Sequence, residues 1–134
     1  MKTKLLIIVL QVCATFTRLF AQAYSVTDSL AMLAIDDSCD ASGNLNWNTE
    51  PDPGKWVGVM WKTENPKKVK ELRVYSRSLT GTIVVKAISN LTYLDCSSNQ
   101  LAGLDVLNLT DLTSLSYYYN QITLIYRNCS ILLL

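Results

Sequence analysis

The sequence predicts an α/β-type repeat solenoid, a short stack of parallel strands that follows an N-terminal helical cap. An apolar pattern recurs at nearly constant spacing in the second half of the chain, a helix-start signal lies near residue 25, and three tryptophans occur within fifteen residues between them. Stacked short units bury together an apolar face that one unit cannot bury alone. We therefore expect a signal peptide in residues 1–23, a cap in 24–68 and about three repeats, truncated at the end, in 69–134.

The first residues have the pattern of a secretory signal peptide. Lys2 and Lys4 precede an apolar run from Leu5 to Ala14, and Ala21 and Ala23 form a small-x-small cleavage pattern. The run is about ten residues long, whereas a membrane-spanning helix needs roughly 20. Cleavage after Ala23 predicts a secreted or cell-surface protein, with no transmembrane segment after the signal peptide is removed.

Charge and length limit the classes of partner. Without residues 1–23 the chain has 111 residues, with nine basic and eleven acidic side chains and a net charge of −2. This length is enough for one domain with its own core. Because nucleic-acid binding depends on a surplus of basic residues, we expect no nucleic-acid partner.

The predicted cap combines a helix with a tryptophan-rich stretch. Ser25 and Asp28 can begin a helix that ends by Ser38, with Leu30, Leu33 and Ala34 on its apolar face. A turn at 51–54 leads to a short strand over 56–61. The end of a solenoid needs a cover, and the tryptophans can supply it by burying their large rings. An alternative is that the tryptophans form a carbohydrate-binding platform.

The repeated pattern places apolar residues at the same relative positions three times. Successive segments start 22 and 21 residues apart, and their members are Val69, Leu72, Val74, Arg77 and Leu79; Leu91, Leu94, Cys96, Asn99 and Leu101; Leu112, Leu115, Tyr117, Asn120 and Ile122. Residues two apart point to the same face of a strand. The asparagines can turn the chain out of each strand and bond the backbone groups that the turn frees.

This pattern resembles a leucine-rich repeat. The stretches Asn99-Gln100-Leu101, Leu104-Asp105-Val106 and Asn108-Leu109-Thr110 are similar to repeats of secreted Bacteroidetes-type proteins, in which a cysteine can occupy the position of Cys96. Residues 79–83 resemble plant-type repeats instead. The region before the repeats is similar to the plant-type cap at Asp28, Leu33, Trp47, Trp56, Gly58 and Val59. The resemblance implies a secreted leucine-rich-repeat protein.

Several kinds of chemistry find no support in the sequence. It contains no histidine, which excludes Ser-His-Asp and Cys-His catalysis. The cysteines lack metal-ligand spacing, and a calcium loop beginning at Asp36 would place Ala41 at the glycine position and Trp47 at the glutamate position. We interpret Asp36, Asp37 and Asp40 as a solvated acidic helix end. The chain is therefore expected to be neither an enzyme nor a metal or cofactor protein, although hydrolysis by paired carboxylates needs no local motif.

The strand residues that point away from the core are the candidate binding site. They form a concave face composed of Glu71, Arg73, Tyr75 and Ser76; Tyr93, Asp95, Ser97 and Ser98; Ser114, Ser116, Tyr118 and Tyr119. Tyrosine, serine and a few charges are typical of adaptable protein-binding surfaces, so we predict a protein partner. The alternatives are a structural or adhesive fragment of a longer surface protein, and carbohydrate binding by the cap. The uncharged, apolar residues 131–134 further predict self-association through the C-terminal end.

Overall fold

The computed structural model describes residues 23–127. The predicted signal peptide and the apolar residues 131–134 therefore lie outside the described part, apart from Ala23. The elements are a helix α1 (Val26–Cys39), a 3-10 turn (Pro53–Lys55) and seven strands: β1 (Val59–Trp61), β2 (Val69–Arg73), β3 (Thr80–Val84), β4 (Tyr93–Asp95), β5 (Gln100–Asp105), β6 (Ser114–Ser116) and β7 (Leu124–Tyr126). No helix within this range has the length and apolar character needed to cross a membrane.

Helix α1 begins where the sequence predicts. Ser25 is the N-cap residue, and its Oγ accepts the backbone N–H of Asp28 at 3.3 Å. The helix ends at Cys39, one residue beyond the predicted end. Such a cap satisfies a backbone donor that has no partner within the helix.

The predicted apolar face of α1 is wrong at Leu30 and Ala34, whereas Leu33 is half-buried and packs against the core as expected. Leu30 is 62% exposed and Ala34 is also exposed, while the buried positions are Asp28, Met32, Ile35, Asp36 and Cys39. Asp28 is buried because its Oδ2 accepts the backbone N–H of Val69 at 2.8 Å, which attaches the helix to β2. A buried carboxylate needs such a partner, and apolar periodicity alone does not reveal it.

Strands β1, β2, β4 and β6 form a four-stranded sheet, here called the mixed sheet. Leu72 pairs with Leu94, and Leu94 pairs with Leu115, both in parallel register. This confirms the alignment of the three apolar segments. Strand β1 lies antiparallel to β2, with Val59 opposite Leu72, and the sequence pattern did not predict this pairing.

Strands β3, β5 and β7 form a second, parallel sheet. Ile83 pairs with Leu104, and Leu104 pairs with Ile125. The β-branched run Thr80–Val84, apart from Gly81, favours a strand. One apolar cluster contains buried residues from α1 and from both sheets, including Met32, Leu72, Ile83, Leu94 and Leu104.

The prediction of an α/β-type repeat solenoid is wrong. We expected one ladder of parallel strands, whereas residues 23–127 form a small α/β domain with a single helix and two sheets, one of them mixed. Each apolar segment is followed by a second strand that pairs in a separate sheet, as in β3 and β5. The tryptophan-rich region adds β1 to the mixed sheet. Local spacing predicts which residues pair, but it does not predict how many sheets the chain forms.

Candidate functional site

The candidate site is the outward face of the mixed sheet, which we call the sheet face. Two rows cross it in exact pairing register: Glu71, Tyr93 and Ser114 in the first, and Arg73, Asp95 and Ser116 in the second. The structure thus confirms that Arg73 lies beside Asp95. A third row, Tyr75, Ser97 and Tyr118, follows the strand ends, where Ser98 N donates to the Tyr118 carbonyl at 2.9 Å and Ser76 N donates to the Ser97 carbonyl at 3.1 Å.

Arg73 is held by two neighbours on this face. Its Nη2 donates to Glu71 Oε2 at 2.9 Å, and its guanidinium carbon lies 4.5 Å from the centre of the Tyr93 ring. The hydrogen bond from Arg73 to Glu71 raises the pKa of the guanidinium above its ordinary value. The pair is exposed to solvent on the Arg73 side, so its contribution to stability is small, but it orients both side chains.

Ser97 does not belong to the accessible surface, contrary to the sequence prediction. Its side chain is only 3% exposed. Its Oγ donates to Asp95 Oδ1 at 2.6 Å, and its backbone N–H donates to the same oxygen at 3.0 Å. Ser97 therefore positions Asp95 and does not offer its hydroxyl to a partner. The alternation of side chains along a strand predicted that Ser97 points to the outward face. This alternation does not extend to Ser97, because β4 ends at Asp95.

Three tyrosines form the exposed aromatic part of the sheet face. Tyr75 is 52% exposed, Tyr118 54% and Tyr119 79%. The rings of Tyr118 and Tyr119 are 5.2 Å apart in an edge-to-face arrangement. Tyr119 has a φ of 54°, and Ser76 and Ser98 at the matching positions have φ values of 52° and 54°. The three strand ends thus turn in the same way, which places the tyrosines at one end of the face.

The predicted alternative site, the tryptophan-rich cap, is largely internal. Trp47 is 1% exposed and Trp56 is 6% exposed, and their ring centres are 6.2 Å apart. The indole N–H groups of Trp47, Trp56 and Trp61 donate to the backbone carbonyls of Val57, Glu50 and Pro53. Only Trp61 is half-buried. The tryptophans therefore pack the region around the 3-10 turn and offer no open platform of several rings.

The acidic helix end is also different from the prediction. Asp36 and Asp40 are buried, and each accepts a backbone N–H of the following loop at 2.6 Å, from Asn48 and Leu45 respectively. Burial raises the pKa of Asp36 above its ordinary value, and the charge of Asp40 adds to this effect. The interpretation as a solvated end holds only for Asp37, which is exposed. The spacing of apolar residues could not predict the burial of these two carboxylates, because it does not show which backbone groups of the loop they bind.

A metal or a reactive thiol has no support among the described residues. Within residues 23–127, no group of three histidine, cysteine, aspartate or glutamate side chains is arranged to hold a metal ion. Cys39 and Cys96 are free and buried. Burial raises the pKa of the Cys96 thiol to about 12, and it raises that of Cys39 as well. Both thiols therefore remain protonated and unreactive near neutral pH.

Comparison with known proteins assigns no family to the chain. No protein-family model matches it, and no curated protein is found to be similar to it. We therefore base the function on the geometry and chemistry of the site.

Proposed function

We propose that this protein is a binding module that recognises a protein partner through the sheet face. The observation that carries the proposal is the set of exposed tyrosines, Tyr75, Tyr118 and Tyr119, at one end of a rigid sheet. When a partner covers large aromatic side chains that are exposed on a folded protein, their apolar surface is removed from water. This removal favours binding. Tyrosine is also among the residues that most often dominate the energy of an interface.

The neighbouring residues support binding by shape and hydrogen bonding. Ser114 and Ser116 are half-buried and small, and they lie beside Tyr93 and Asp95 in the pairing register. A surface of tyrosine and serine with few charges combines rigid contact area with adaptable polar contacts. Arg73 and Glu71 already neutralise each other, which reduces the cost of covering this part of the face.

The other functional classes have weaker support. An enzyme remains disfavoured because the sequence contains no histidine. The buried acids Asp36 and Asp40 lie close enough to interact, but each of them binds a backbone N–H of the following loop. Carbohydrate binding by the tryptophans is disfavoured because Trp47 and Trp56 are buried. We also propose secretion or cell-surface attachment, on the basis of the leader-like residues 1–23. The resemblance to secreted leucine-rich-repeat proteins remains a hypothesis from the sequence pattern and agrees with this location.

A pull-down with matched variants tests the proposal. The chain is used as bait in an extract of its native host, in parallel with the double variant Tyr118→Ala/Tyr119→Ala. We expect the double variant to capture at least about tenfold less of the specific partner, because truncation of interface aromatics commonly costs more than 1 kcal/mol each. Circular dichroism confirms that both proteins are folded.

The matched control is Tyr126→Ala, which removes a tyrosine of similar exposure, 46%, from the parallel sheet. This control should retain capture. Equal loss in the control and the double variant would contradict the proposal, since the sheet face would then have no special role. Self-association through the C-terminal end remains a separate prediction, and analytical ultracentrifugation at several concentrations tests it.

A further inference from the structure

Asp95 is a carboxylate at the centre of the sheet face with one oxygen that is not in use. Its Oδ1 accepts two hydrogen bonds from Ser97. Within residues 23–127, no donor bonds its Oδ2, and no lysine or arginine nitrogen lies within 4.0 Å of the carboxylate. The side chain is half-buried and makes no direct ion pair with any of the described residues.

The nearest arginine in the pairing register forms neither a hydrogen bond nor an ion pair with Asp95, although the two charges attract each other at longer range. Arg73 lies directly beside it on β2, but the Arg73 guanidinium bonds Glu71 and stacks on Tyr93. On the other side Asp95 faces Ser116, which is small and uncharged. Among residues 23–127, the neighbours of Asp95 in the pairing register therefore leave its Oδ2 without a direct partner.

Aromatic side chains border this charge. Tyr75 and Tyr118 occupy the next row, two strands apart, which corresponds to roughly 10 Å between their backbones. Ser97, which lies between them, is buried and its side chain is small. The third row therefore has a small side chain between the two exposed tyrosines.

We propose that the partner inserts an arginine side chain at this position, with its guanidinium against Asp95 Oδ2 and the ring of Tyr118. A guanidinium is planar and always charged, donates to carboxylates and stacks on aromatic rings. It also loses less hydration than an ammonium group when it is covered. This inference rests on the proposed function, because it assigns the chemistry of the partner that the sheet face binds.

Short blocked peptides provide the test. Two peptides that differ only at the central residue, arginine or leucine, are titrated into the whole ¹⁵N-labelled chain. We expect the arginine peptide to shift the amide signals of Asp95, Ser97 and Ser116 in a saturable manner, and the leucine peptide to bind about tenfold more weakly, the loss that corresponds to one charge-assisted hydrogen bond. A lysine peptide should be intermediate.

The variant Asp95→Asn removes the charge while its amide oxygen can still accept both bonds from Ser97. We expect about tenfold weaker binding of the arginine peptide by this variant, with weaker salt dependence. Glu64→Gln, an exposed acid outside the sheet face, is the control and should bind normally. If Asp95→Asn does not fold, Tyr118→Leu should weaken arginine binding in its place.

Two results would overturn the inference. One is no saturable binding of the arginine peptide at millimolar concentration, and the other is equal binding of the arginine and leucine peptides. The native partner distinguishes the inference from the proposed function. If Tyr118→Ala/Tyr119→Ala loses capture while Asp95→Asn keeps it, the inferred arginine contact is wrong and the proposed function stands. Full capture by both variants would reject the proposed function itself.

Discussion

The side chain of Asn99 holds the backbone of Leu79, which lies 20 residues earlier in the chain: Asn99 Oδ1 accepts the Leu79 N–H at 3.0 Å. The same oxygen accepts the Arg77 N–H at 2.9 Å. The amide nitrogen donates to the carbonyls of Val74, Cys96 and Ser97. One buried side chain thus satisfies five backbone groups at the point where two neighbouring strands end.

We expect Asn99→Ala to lower the free energy of unfolding by about 2–4 kcal/mol, because several buried backbone groups lose their partner. Asn120 occupies the matching position one segment later, but it is only half-buried, and its Oδ1 accepts one bond, from Leu101 N at 3.0 Å. Asn120→Ala should therefore cost less, about 1–2 kcal/mol. Urea denaturation measures both values. A greater loss for Asn120→Ala would show that burial does not control the strength of these bonds.

Ser97 and Ser116 are a second pair of residues of the same type that differ in burial. Ser97→Ala should lower the free energy of unfolding by about 1 kcal/mol, since it removes a buried hydroxyl that donates to Asp95. Ser116 is half-buried, and its change to alanine should stay within about 0.5 kcal/mol. Chemical denaturation of the two variants under identical conditions compares them. Equal free energies of unfolding for the two variants would mean that the hydrogen bond from Ser97 Oγ to Asp95 does not stabilise the fold.

Gly58 lies against the backbone of β2 in a conformation that only glycine adopts readily. Its φ is 74°, and a Cβ at this position would overlap the carbonyl oxygen of Arg73. Gly58→Ala should therefore cost more than about 2 kcal/mol, because steric overlap adds to the backbone strain. Thermal unfolding followed by circular dichroism measures the loss.

Gly43 is the control for this substitution. It has a similar φ of 68°, but nothing lies within 4 Å of the position where a Cβ would be. Gly43→Ala should cost only the strain of the left-handed backbone, about 1 kcal/mol. Similar losses in both variants would indicate that β1 can shift away from Arg73 without cost.

Asp36 makes a pH-dependent contribution to stability. Burial raises its pKa in the folded chain, so the folded state binds a proton more tightly than the unfolded state. Asp36 therefore favours folding at low pH, and this contribution to the free energy of unfolding is lost as the pH rises through the raised pKa of the folded state. Asp36→Asn should thus increase the free energy of unfolding at neutral pH, since an amide oxygen can still accept the Asn48 N–H.

Urea denaturation of Asp36→Asn from acidic to neutral pH tests this expectation. The difference from the unsubstituted chain should shrink toward acidic pH, where the carboxyl group is protonated in both folded and unfolded states. Glu64→Gln, at an exposed position, should show no such trend. A variant that is less stable at neutral pH would mean that the negative charge of Asp36 is itself required to hold the loop.

The sequence alone predicted the local features that depend on residues close together in the chain or on regular spacing. The helix start at Ser25 follows from the ability of a hydroxyl to bond a nearby N–H group. The pairing of Leu72, Leu94 and Leu115 follows from the spacing of apolar residues that must be buried together. The same spacing predicted that Arg73 lies beside Asp95.

Only the tertiary structure decided the features that depend on contacts between distant residues. The antiparallel pairing of β1, the second sheet, and the burial of Asp28, Asp36 and Ser97 arise from such contacts. A polar side chain is buried when a specific distant partner satisfies it, as Val69 N–H does for Asp28. Apolar periodicity records which residues avoid water, but it contains no information on these partners, because each bond depends on a single pair of groups brought together by the fold.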